Sequence, residues 1–146
     1  MKNTTHLACT LVLAASAWLS TPLGAAPRCY PNKRFQVIDA QLVRDTLTKL
    51  VWQRQASATA IAWDLAQSYC PAGFRLPTER ELSSIVDFTV APPGPTIDGT
   101  AFPNTPAEAF WTTSPSIDAS ASRCVLFQSG KTSNCVGGGL YARCVQ

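Results

Sequence analysis

The sequence has a single histidine, His6, and it lies within the first 25 residues. Those residues have the layout of a secretory signal peptide. A basic start at Lys2 leads into an apolar run over 7–19, then small residues and Pro22. The run is roughly 13 residues long, short of the ~20 that cross a bilayer, and no later run is longer. Cleavage is expected after Ala25, because cleavage after Ala26 would leave Pro27 at the new terminus. A chain beginning at Ala26 contains no histidine. That excludes a Ser-His-Asp triad, a Cys-His dyad and any His-ligated metal.

Charge is also scarce, at 14% of residues. Loss of Lys2 leaves 11 Lys+Arg against 9 Asp+Glu, a net +2. So weak an excess provides no footprint for nucleic acid. Cys-x-x-Cys is absent, which argues against structural zinc and thioredoxin-like redox chemistry. No cofactor and no metal are expected.

Cysteine itself is present. Five remain after residue 25: Cys29, Cys70, Cys124, Cys135 and Cys144. An exported chain, secreted or periplasmic, meets an oxidising compartment, so disulfides are the default. Five is odd, so one thiol is left over or pairs between chains.

Residues 26–34 form a basic, Pro-rich lead-in carrying Arg28, Lys33 and Arg34, and the domain is expected over 35–146. Residues 35–38 read as a strand, and 41–43 with 50–53 as a hairpin about a polar turn. A helix is predicted over 59–70, capped by Thr59. Ile61, Leu65 and Tyr69 lie on one stripe, with Trp63, Ala66 and Cys70 beside it. Pro71 and Gly73 stop it.

The most legible stretch is 73–87. Thr78 and Glu81 form the two halves of a capping box, with Glu79 and Glu81 at the positive end of the dipole. A helix over 79–88 should bury Leu82, Ile85 and Val86. Arg75, Glu79, Glu81 and Asp87 would be an acid/base set, but Glu79 and Glu81 are better explained by capping, and Arg75 by a bridge to a carboxylate.

Residues 89–108 hold five prolines and read as a long loop anchored by Ile97 and Phe102. Strands follow at 109–113, 123–128 and 140–145, the last with Leu140, Ala142 and Cys144 inward. A two-residue turn at Ser129-Gly130 would set Cys124 directly opposite Cys135, within disulfide range. Trp52, Trp63 and Trp111 are aromatic enough to stack on a sugar ring, though each suits a core. Trp111, which follows the long loop, is the best placed, with Asp98, Phe102 and Asn104 the other candidate ligand-binding residues. Ile97-Asp98-Gly99-Thr100 also reads as a side-chain-stabilised turn.

Six motifs in order carry a resemblance. They are Asp45-x-x-Thr48-x-Leu50-x-Trp52-Gln53-Arg54, Ala62-Trp63-x-x-Ala66-x-x-x-Cys70, Phe74-Arg75-Leu76-Pro77-Thr78-x-x-Glu81-Leu82, Ile97-Asp98-x-x-Ala101-Phe102-Pro103-Asn104-Thr105, Phe110-Trp111-Thr112-Thr113 and Tyr141-x-Arg143-Cys144-Val145. Together they resemble the bacterial domain family named after the C-terminal domain of the Legionella collagen-like (Lcl) adhesin. The resemblance implies a C-type lectin-like α+β fold, with two helices packed on a small, mostly antiparallel sheet and a long loop inserted. It further implies a disulfide between Cys70 and Cys144, leaving Cys29 unpaired or intermolecular, and a Gly-like turn at Lys49. The function it implies is an adhesin-like, non-catalytic binding module whose partner is a surface glycan or protein, with an oligomer possible. Glu-Pro-Asn and Trp-Asn-Asp are both absent, so calcium-dependent sugar binding is not expected. The rival readings are a fold relative of the formylglycine-generating enzymes, which use a reactive cysteine pair, and a structural envelope subunit joined through Cys29.

Overall fold

Residues 140–146 decide how the rest of the chain is assembled, because two separate sheets hydrogen-bond to them. The computed structural model describes residues 34–116 and 122–146. The expected leader, the cleavage point and Cys29 lie outside the described residues.

The first sheet is β1 (Phe35–Val37), β2 (Leu42–Asp45) and β3 (Val51–Gln53), antiparallel in that order. Asp39 closes the turn between β1 and β2, its Oδ1 accepting the N–H groups of Gln41 and Leu42. The β2–β3 hairpin pairs Leu42 with Gln53 and Val43 with Trp52. Its turn places Lys49 at φ +69°, a left-handed conformation that costs a side-chain-bearing residue about 1 kcal/mol. Lys49→Gly is therefore expected to raise stability slightly, by up to about 0.5 kcal/mol, after the added freedom of glycine in the unfolded chain is counted. A lower urea midpoint for that variant would contradict this.

Two short helices follow, α1 (Trp63–Gln67) and α2 (Glu79–Ser84). The expected 59–70 helix is thus cut to its middle, with Ala62 rather than Thr59 at its N-cap and no side-chain cap bond. The cause is tertiary. Ile61 exchanges both backbone hydrogen bonds with Leu140, so the chain there is extended. Leu65 and Tyr69 are exposed, and the packed stripe is the other one, with Ala66 fully buried. α2 stops at Ser84 rather than Phe88, and Phe88 is 76% exposed.

The second sheet is β4 (Ala109–Pro115), β5 (Ser122–Leu126) and β6 (Lys131–Cys135), antiparallel in that order. The β5–β6 turn spans 127–130, closed by bonds from Ser129 and Gly130 N–H to Leu126 O. The expected two-residue turn is therefore wrong. Cys124 pairs with Ser133, and Ser122 with Cys135. The register moves by two positions, which keeps every side chain on its face. Cys124 and Cys135 still bond, as a diagonal pair with Cα atoms 6.0 Å apart. A second disulfide joins Cys70 to Cys144.

Residues 140–146 form no continuous strand. They knit the two sheets instead. Val51 and Gln146 exchange hydrogen bonds, as do Arg75 and Val145, while Gln53 N–H donates to Cys144 O and Ser57 N–H to Ala142 O. On the other side Trp111 N–H donates to Tyr141 O, and Tyr141 N–H to Ala109 O. Ala142, Arg143, Cys144 and Val145 are all buried, so both faces of the segment are covered and the expected inward–outward alternation does not hold. One core cluster gathers Val43, Trp52, Leu82, Ile85, Ile97, Phe102, Phe110, Phe127 and Val145; a smaller one holds Ala66, Leu76, Trp111 and Ala142.

The architecture is therefore a small domain of two antiparallel three-stranded sheets with short helices, in place of the single small sheet expected.

Candidate functional site

Thr78 Oγ1 accepts the N–H of Glu81 at 3.2 Å, and Glu81 Oε2 accepts the N–H of Thr78 at 2.8 Å, which completes the capping box. Arg75 grips the same carboxylate with two bonds, of 2.8 and 2.7 Å. Arg75, then the Thr78 contacts, outweigh burial and hold Glu81 at about 2 against an ordinary 4.5. The folded value is depressed, so this stabilisation is whole above pH 4.5 and is lost as pH falls through about 2. Arg75 is half exposed, and with screening the effect is about 1–2 kcal/mol. Glu81→Gln is expected to flatten the fall in urea stability between pH 4.5 and 2. An acid limb identical to wild type would contradict that.

Glu79 is bound across the fold by Arg123, at 2.7 and 2.8 Å, and that guanidinium holds its carboxyl below the usual range. Arg123 also donates to Asn134 and Thr132 of β6. Asp87 Oδ1 accepts from Thr89 N–H and Oγ1. Asp45 is fully buried; burial works to raise its pKa, but Arg34 and the Leu47 N–H together bring it below the ordinary value. Arg34, assigned from sequence to the basic lead-in, is thus a structural partner, bonded to Asp45 at 2.7 Å with its guanidinium over the Phe35 ring.

The expected ligand residues do not converge. Trp111 is 1% exposed, its Nε1 donates to Ile61 O at 2.8 Å, and Trp63 lies 5.2 Å away. No face of its ring is open to a ligand. Phe102 is fully buried between Phe35 and the Arg143 guanidinium. Asp98 Oδ1 accepts the N–H groups of Thr100 and Ala101, as the turn reading required. Asn104 is exposed, at φ +55°. The long loop is tied down along its length. Thr96 N–H and Oγ1 both donate to Phe127 O, while Arg54 donates to Thr100 O and Ala101 O. At Gly94 a Cβ would collide with Phe127 O, so only glycine fits.

Arg143 is the residue the sequence pattern concealed. Read as an outward strand position, it is fully buried. Its Nη1 donates to Gln53 O and Arg54 O at 2.8 and 2.5 Å, and its Nη2 to Thr105 Oγ1 at 2.7 Å. The rings of Phe102 and Phe110 lie 4.9 and 5.9 Å from its guanidinium carbon. Burial pushes its pKa down to about 9, so it stays charged at neutral pH. Its position between the polar carbonyls and two aromatic faces makes it a packing element.

What remains open is a shelf over the smaller core cluster. Ile61, Trp63, Cys135 and Leu140 are half-buried around Trp111, Ala66, Leu76 and Ala142, with Val136 exposed beside them. Trp63 is the one of the three candidate tryptophans with part of its surface accessible. Beyond Val136 the chain runs through Gly137 and Gly138, both at positive φ and with nothing within 4 Å of a built Cβ.

The family model described as the Lcl C-terminal domain matches residues 41–146. No curated protein and no solved structure matches the chain.

Proposed function

This chain belongs to the Lcl C-terminal domain family, and from that premise we propose that it is an exported, non-catalytic binding module, adhesin-like, recognising a surface glycan or protein. A C-type lectin-like arrangement and a secreted or periplasmic location are part of the same reading. The observation that carries it is the commitment of the chemically capable side chains to structure. Glu79 and Glu81 are paired with arginines. Asp39, Asp87 and Asp98 close turns. Four of the five cysteines expected in the exported chain are in disulfides. The reactive cysteine pair that a formylglycine-generating relative would need has no counterpart among the described residues. Two disulfides favour an oxidising compartment, and among the described residues no helix is long and apolar enough to cross a membrane.

The test is a glycan array and a heparin column run on residues 26–146, with calcium and with chelator. Binding to at least one glycan, surviving chelation, is expected. Failure of the folded protein to bind any glycan would overturn the glycan reading and leave a protein partner.

A further inference from the structure

We propose that the shelf around Trp63 is the binding site, and that its ligand is an electrically neutral sugar ring rather than a sulfated or otherwise anionic one; this rests on the binding-module reading above. The shelf is apolar and fixed. Trp63 lies against Trp111, which is itself pinned through Nε1 to Ile61 O. Ile61 is locked to Leu140 by paired backbone bonds. A rigid aromatic face loses little freedom on binding and attracts the C–H edge of a pyranose through its quadrupole. The rim supplies polar groups: Asp64 is adjacent to Trp63, and Gln67 lies one helical turn on, both exposed. A carboxylate and a carboxamide accept from and donate to hydroxyl groups.

Charge chooses between sugar classes. Across 59–70 and 133–141 the sequence has no lysine or arginine and one acid, Asp64. Arg75, next to Leu76 of the same cluster, is paired with Glu81. Arg123, on the other sheet strand, is spent on Glu79, Asn134 and Thr132. A sulfate would meet repulsion from Asp64 while Arg75 and Arg123 are already paired with glutamates, whereas a neutral ring meets no such repulsion. The long loop, pinned at Thr96, Thr100 and Ala101, is not the binding face.

The experiment compares wild type, Trp63→Phe and Gln67→Ala on immobilised neutral oligosaccharides and on heparin, at low salt and at high salt. Folding of each variant is checked by near-UV circular dichroism. Wild type is expected to bind a neutral glycan with affinity that salt leaves within twofold. Gln67→Ala, an exposed position, should weaken it at least fivefold, and Trp63→Phe by a similar factor, with the fold intact. Neutral-glycan binding unchanged in both variants would overturn the site. Salt-sensitive heparin binding without neutral-glycan binding would overturn the neutral ligand while the binding-module reading stands. No binding to either support by folded wild type would overturn the proposal and the glycan reading together.

Discussion

Replacing both Cys70 and Cys144 with serine is expected to cost the domain about 4 kcal/mol. The two cysteines are 74 residues apart in sequence, and releasing so long a loop frees much of the unfolded chain. The native state loses as well, since Cys144 is fully buried within the segment that both sheets share. Small domains hold roughly 5–15 kcal/mol in total, so this variant should approach the folding threshold. The Cys124–Cys135 bond closes a separation of only 11 residues, and its double-serine variant should lose less, about 3 kcal/mol. Urea titrations of both variants at one pH settle the order. A Cys70→Ser/Cys144→Ser midpoint equal to wild type, or above that of the other pair, would contradict it.

Arg143→Met is expected to cost about 3–5 kcal/mol, although methionine is apolar and close in length. Substituting a whole buried ion pair with apolar groups can be harmless, because both partners leave together. Here the partners are the Gln53 and Arg54 carbonyls, which no side-chain substitution removes, and Thr105 Oγ1. Each is left buried without its donor, at about 1–3 kcal/mol. Arg143→Lys should recover only part of the loss. An ammonium is a point charge, and it cannot span three acceptors while lying flat between the Phe102 and Phe110 rings. Unfolding free energies ordered wild type, then Lys, then Met are the expected result. A Met variant as stable as wild type would show that the carbonyls find other donors.

Local structure was legible in the sequence wherever the physics is local. The Thr78–Glu81 capping box and the β2–β3 hairpin depend on residues a few positions apart, and both stand where the residue types put them. The Lys49 turn was legible too, through a resemblance that places glycine there. What failed depended on distant partners. Helix periodicity over 59–70 was real, but pairing of Ile61 with Leu140 claimed its first turn for an extended chain. The β5–β6 register slipped because the turn uses four residues, and hairpin register follows turn length. Arg143 was hidden because strand alternation assumes one face in water, and residues 142–145 have neither face there. The same reason removes Trp111 and Phe102 from the candidate site. Trp111 follows the long loop and Phe102 lies within it, which made them look accessible, but Trp63 and Ile61 pack on Trp111, and Phe35 and Arg143 enclose Phe102. In sequence Trp63 looks like the other tryptophans, and only tertiary packing separates it from them.

Native-state hydrogen exchange tests most directly whether residues 140–146 join the two sheets into one cooperative unit. The informative amides are Val51 and Gln53, which donate to Gln146 and Cys144, and Trp111, which donates to Tyr141. All three are expected to exchange only through global unfolding, with one shared free energy and one shared denaturant dependence. Exchange of Val51 and Gln53 at a distinctly lower free energy than Trp111 would mean that the first sheet opens alone, and that the segment does not hold the two together.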